Sequence, residues 1–130
     1  MREVFRNDFF YVLHDAEARV VRIARTALPQ PTATLLQTAA VLPPILIPLL
    51  PARLLLDMRL APGNNEPGFE QKAVEVVQQL TRRFKVVAIL VQTAVGKLHF
   101  QRMSRSSGQP LHIFFDEAEA LRYLNEQPLV

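Results

Sequence analysis

Three apolar runs without alternation most constrain this chain: ARLLLDM at 52–58, KVVAILVQT at 85–93 and LHIFF at 111–115. A strand with one wet face alternates apolar and polar residues. These do not, so each is expected in a sheet covered on both faces, as parallel sheets are. Between the first two runs, Phe69, Ala73, Val76, Val77, Leu80 and Phe84 recur at helical spacing. Glu70, Lys72, Glu75, Gln79 and Arg83 fall on the other side, so residues 69–84 read as an amphipathic helix.

The remaining segments follow the same logic. Residues 9–26 carry β-branched Val20, Val21 and Ile23 and a turn near Asp15–Ala18, which predicts a β-hairpin. Pro29 and Pro31 end it, and Thr32 is placed to cap a helix carrying Leu35, Leu36, Ala39, Ala40 and Leu42. Pro43–Pro44 is expected to break that helix. Residues 95–108 are a further helix ending at Gly108, and Asp116 caps a last one over DEAEALRYL. The order is β-β-α-β-α-β-α-β-α. It predicts one α/β domain over 1–130, with an N-terminal hairpin, a mostly parallel sheet of about five strands and about four helices.

Composition removes several function classes. With no cysteine there are no disulfides, thiolate metal sites or thiol chemistry, and a reducing cytoplasm is the expected compartment. The net charge of +3 comes from 15 Lys+Arg against 12 Asp+Glu without a run of like charge. The nearest thing to a basic patch is Lys97, His99, Arg102 and Arg105, so no nucleic-acid partner is expected. MREVFRNDFF lacks the apolar core of a signal peptide. Residues 39–57 are the most lipid-like stretch, but Pro43, Pro44, Pro48 and Pro51 interrupt them, and packing against the core is expected rather than a membrane span.

RLLLDMR at 53–59, KVVAILVQT at 85–93 and the closing LHIFFDEAEALRYL at 111–124 occur in an order that resembles the STAS superfamily. Within it, the chain is similar to the SpoIIAA-like (STAS/SEC14) branch over roughly residues 9–125. The resemblance implies the α/β STAS scaffold and a regulatory, non-enzymatic role through protein–protein contact. Its SEC14 side implies, as an alternative, a module for a small apolar or lipid-like ligand. In anti-sigma-factor antagonists the loop after the strand matching 53–59 carries a phosphorylatable Ser or Thr. Here no Ser or Thr occurs from Arg59 to Leu80, so that switch is absent from this loop.

Candidate recognition residues sit after the first and second predicted buried strands, where open α/β sheets place ligands. Asn64, Asn65 and Glu66 lie in a Pro/Gly loop that turn chemistry alone also explains, Asn65 or Glu66 capping a helix entered at Pro67. Gln92, Thr93, Gly96, Lys97 and Phe100 lie at the next strand–helix junction, where Thr93 reads as a cap and Lys97 as an anion contact. The apolar segment 42–50 reads as core, pocket lining or a surface for a second copy of the chain, and a homodimer is expected. His14, His99 and His112 show no metal-ligand spacing, and no cofactor is expected. Ser104, His99 and Asp116 make no hydrolytic signature, since Ser104 lacks the Gly-x-Ser-x-Gly elbow. Asp57 and Asp116 read as an ion pair with Arg59 and a helix cap, or as two carboxylates meeting at the top of the sheet.

Overall fold

When neighbouring parallel strands follow one another in sequence, right-handed crossovers put every connecting helix on the same face. This chain folds that way. The computed structural model describes residues 1–129. A six-stranded sheet runs in sequence order from β1 (Arg2–Arg6) through β2 (Phe10–Asp15), β3 (Val20–Arg25), β4 (Arg53–Asp57) and β5 (Val87–Leu90) to β6 (His112–Phe114). β1, β2 and β3 pair antiparallel; β3 to β6 pair parallel. The connecting helices α1 (Leu35–Leu46), α2 (Phe69–Arg83) and α3 (Ala94–Ser107) share one face. There Leu42, Leu46, Leu80, Phe84, Phe100 and Met103 pack on Val12, Ile23, Leu54, Leu56 and Ile89.

Among the described residues no strand follows β6, and α4 (Glu117–Glu126) folds onto the opposite face. Its Ala120 and Leu124 meet Val20, Leu55, Ala88 and Leu90. The period of two along β4 therefore sends Leu54 and Leu56 to one core and Leu55 and Asp57 to the other. Each of these leucines, fully buried, contributes about 1.5–3 kcal/mol.

The sheet has one more strand than the sequence predicts. β1 escapes pattern reading because its register shifts between Glu3 and Phe5, which destroys the alternation of an edge strand. Asn7 closes the turn into β2 by accepting from the Phe9 and Phe10 amides, both at 2.9 Å. The predicted hairpin turn is present, with Asp15 Oδ1 accepting from the Ala18 amide at 3.0 Å.

Three expectations about helix ends are corrected. α1 runs through Pro43 and Pro44 to Leu46 rather than breaking there. The prolines remove donors and strain the turn, at a cost of about 3 kcal/mol for an interior proline. Burial of Leu42 and Leu46 on the sheet offsets this. Thr32 opens a 3-10 turn, Thr32–Thr34, ahead of α1 instead of capping it. Likewise α2 is entered through Gly68 in the left-handed region (φ 79°), with no side-chain cap from Asn65 or Glu66. By contrast Thr93 and Asp116 cap α3 and α4, and Gly108 ends α3 at φ 70°.

The helical stretch Thr32–Leu49 has a mean hydropathy of 1.5 over 18 residues, long and apolar enough by those measures to cross a membrane, and 17% of it is buried. Its inner leucines, Leu35, Leu42 and Leu46, sit in the core, while Leu36 and Ile47 are exposed.

Candidate functional site at the carboxyl ends of the strands

Where β3, β4, β5 and β6 end, their last residues and following loops converge. β2 is antiparallel, so it contributes its first residues at the same end. Tyr11, Arg25, Asp57, Arg59, Leu60, Val91, Gln92 and Phe115 line a shallow cleft of about 430 Å³ there.

Its floor is an ion-pair network. Asp57 is buried at the end of β4, and Arg59 grips it from two residues on: Nε donates to Oδ1 at 3.0 Å and Nη2 to Oδ2 at 2.8 Å. The Arg59 amide also donates to Oδ1 at 3.2 Å. Glu117, in the first turn of α4, accepts from Arg59 Nη2 at 3.0 Å and from Arg22 Nη1 at 3.1 Å. Arg22 comes within 4.0 Å of Asp57, and its Nε is buried with no partner among the described residues. Burial pushes the Asp57 carboxyl up, but the hydrogen bonds and charge of Arg59, with the charge of Arg22, outweigh it and hold the group below its ordinary value. Both carboxylates are thus engaged as acceptors by guanidiniums. Such pairing fixes geometry and charge.

The predicted recognition residues divide among three places. Gln92 lies in the cleft and is exposed. Thr93 caps α3, its Oγ1 accepting from the Gly96 amide at 3.0 Å, and a Cβ at Gly96 would meet that oxygen at 3.3 Å. Lys97 stands over the Phe115 ring at 5.6 Å, at the cleft's edge. Phe100 is 5% exposed and belongs to the core, one turn deeper than the surface its sequence position suggests.

Asn64, Asn65 and Glu66 lie elsewhere, along a second open cleft of about 480 Å³ with Pro29, Gln30, Pro31 and Gly63. Two of them brace the loop. Asn64 Nδ2 donates to the Gln30 carbonyl at 2.9 Å, and its Oδ1 accepts from the Glu66 amide at 2.7 Å. Glu66 Oε2 accepts from the Thr32 amide at 3.1 Å, and its hydrogen bonds to Thr32 draw its pKa down. The loop is a strut tied to the entry of α1.

Of the other sequence candidates, Asp116 accepts from the Ala118 amide at 2.9 Å as a cap, and the acid that reaches the sheet top is Glu117. Ser104 Oγ donates to the Gln109 carbonyl at 2.7 Å and accepts from the Leu111 amide at 3.2 Å, bracing the exit of α3. His99 is partly buried, which lowers its pKa. Among the described residues no group of three His, Asp or Glu is placed to hold a metal ion.

Sequence reasoning missed Arg22, Arg25 and Glu117. An arginine inside an apolar hairpin strand (VVRIAR) was the available signal for the first two, because a charge on a covered strand needs a partner.

This end of the sheet carries a rim of exposed apolar side chains: Leu60 and Phe115, which line the cleft, are 59% and 50% exposed, and Val95 and Leu98, in the first turns of α3, are 76% and 59% exposed. No protein-family model matches this chain, and the searches of curated proteins and of solved structures return no match.

Proposed function

We propose that the chain is a non-enzymatic protein-interaction domain of STAS-like, regulatory type, acting in the cytoplasm and docking a protein partner on the rim formed by Leu60, Val95, Leu98 and Phe115. The observation that carries this reading is that rim: four large apolar side chains exposed together at the ends of β4, β5 and β6 and the start of α3. Exposed apolar groups clustered beside polar ones mark contact surfaces, whereas single ones do not. The engagement of Asp57 and Glu117 by arginines favours recognition over proton-transfer chemistry. The STAS resemblance of 53–59, 85–93 and 111–124 points to the same class of role.

The chain also pairs with a second copy through the outer face of α1 and the turn after it. Leu36 on α1 and Ile47 just beyond its end are exposed, and no charged residue occurs from Thr26 to Ala52. A charge-free surface is matched best by another of its kind, whereas an interfacial membrane helix carries Lys or Arg on its polar face. A small apolar ligand is the less favoured reading. Segment 32–50 rests on the sheet through Leu35, Leu42 and Leu46, and both clefts described above are open and carry charged or amide side chains in their lining.

The test is affinity capture from the source cells with the wild-type chain and a Leu98→Asp variant. A partner held by the wild type and lost by the folded variant supports docking on the rim. Identical partner sets for the two would reject it.

A further inference from the structure

Arg25 is an unfinished ion pair. It ends β3, is half-buried and lines the cleft. Its Nε donates to the Phe9 carbonyl and its Nη2 to the Leu28 carbonyl, both at 2.7 Å. These are neutral acceptors, and no described carboxylate pairs with it. Arg59, which lines the same cleft, pairs with Asp57 and Glu117 instead. Desolvation lowers the Arg25 pKa, as it does for a cation removed from water without a counter-ion. A guanidinium in such a setting binds an arriving carboxylate more strongly than an exposed lysine does, because it is already oriented and partly dehydrated.

The charge balance says which anion fits. Two guanidiniums (Arg25, Arg59) and one carboxylate (Asp57) line the cleft, leaving one positive charge in excess. One carboxylate neutralises it. A doubly charged phosphate would leave negative charge beside the ionised Asp57. The cleft is shallow, and its mouth is flanked by Leu60 and Phe115, which also belong to the rim. That shape suits a side chain projecting from a larger apolar surface better than a free small molecule, which needs most of its area enclosed.

We infer that the partner docking on the rim inserts an Asp or Glu carboxylate onto Arg25, with its flanking apolar residues resting on Leu60 and Phe115. The inference rests on the rim being the docking surface and names the partner's chemistry there.

The experiment is a ¹H–¹⁵N NMR titration of the full chain with acetyl-Leu-Glu-Leu-amide, its Gln counterpart and 3-phenylpropionate. The Glu peptide is expected to shift the amides of Tyr11, Gln92 and Phe115 saturably. The Gln peptide should bind about tenfold or more weakly, as loss of a charged hydrogen bond requires. Arg25→Met would also free the Phe9 and Leu28 carbonyls, so the decisive variant is Gln92→Glu. Residue 92 is exposed and lines the same cleft, so a carboxylate there offsets the excess positive charge without touching the core. It should weaken the Glu peptide by a similar factor. Equal binding of the Glu and Gln peptides, or no shift in the cleft, overturns the inference. Tighter binding of 3-phenylpropionate than of the Glu peptide overturns it in favour of a free carboxylate ligand. Capture unaffected by Leu98→Asp would remove the docking reading and this inference with it. Capture lost in Leu98→Asp, without discrimination between the peptides, would remove this inference alone.

Discussion

Arg59 holds Asp57 by both carboxylate oxygens, Nε to Oδ1 at 3.0 Å and Nη2 to Oδ2 at 2.8 Å, across a separation of only two residues. The grip is local, but its effect is global. Asp57 ends the central strand β4, and Arg59 carries the tie onward to Glu117 on α4, joining the two ends of the chain's parallel half.

Asp57→Asn leaves Arg22 beside the sheet with Glu117 as its remaining counter-charge. It should cost about 2–3 kcal/mol, less than a fully buried pair because Arg59 is partly exposed. Urea denaturation measures this. Folding lowers the Asp57 pKa, so the pair contributes fully above the unfolded value of about 3.9 and fades as pH falls through the lower folded value. The wild type should therefore lose stability faster than Asp57→Asn between about pH 5 and pH 2. Parallel curves would show that the pair contributes nothing.

Phe100 and Leu98 stand two residues apart on α3 with opposite fates, 5% and 59% exposed. Phe100→Ala should destabilise by about 3–5 kcal/mol through loss of core packing. Leu98→Asp should change stability by about 0.5 kcal/mol or less. Thermal unfolding of both variants separates core from surface.

The Thr93 hydroxyl serves the helix. Thr93→Ala should cost about 1 kcal/mol, and Thr93→Ser should restore most of it, because the serine oxygen also accepts from the Gly96 amide. A Ser variant as unstable as Ala would mean that the methyl group, not the cap, carries the effect.

Gly108 and Gly63 both have open space where a Cβ would go, and only Gly108 has a positive φ, 70°. Gly108→Ala should destabilise by about 1 kcal/mol from the left-handed backbone alone. Gly63→Ala should be neutral or stabilising by up to about 0.5–1 kcal/mol, by narrowing the unfolded ensemble. Matching effects in chemical denaturation would contradict this assignment of strain.

The outer face of α1 and the turn after it predict a self-association that one charge abolishes. Ile47→Glu, at a position 54% exposed, should leave the fold intact and shift sedimentation velocity from dimer to monomer. A wild type that sediments as a monomer at about 100 μM would remove the pairing, since interfaces of standard size hold far below that concentration.

Regular patterns made the architecture legible. The non-alternating runs became β4, β5 and β6, and the spacing of Val77 and Leu80 placed α2, because burial repeats with the geometry of the element. Caps were legible where one polar atom meets the next turn, as at Thr93 and Asp116. Right-handed crossovers then put α1, α2 and α3 on one face, a consequence of strand order.

What the chain's own residues determined is thus the α/β class, the parallel half and most element ends, since those depend on neighbours within a few turns. Only the tertiary structure decided the rest. It carried α1 through Pro43 and Pro44, because Leu42 and Leu46 on either side of them are buried in the core. A register shift hid β1, and its pairing with β2 revealed it. The cleft drew Tyr11, Arg25, Asp57, Gln92 and Phe115 from five places in the chain. Arg22 and Glu117 lie 95 residues apart and meet at 3.1 Å. No local pattern encodes that meeting, because Coulomb attraction and desolvation act through space and depend on which groups folding brings together.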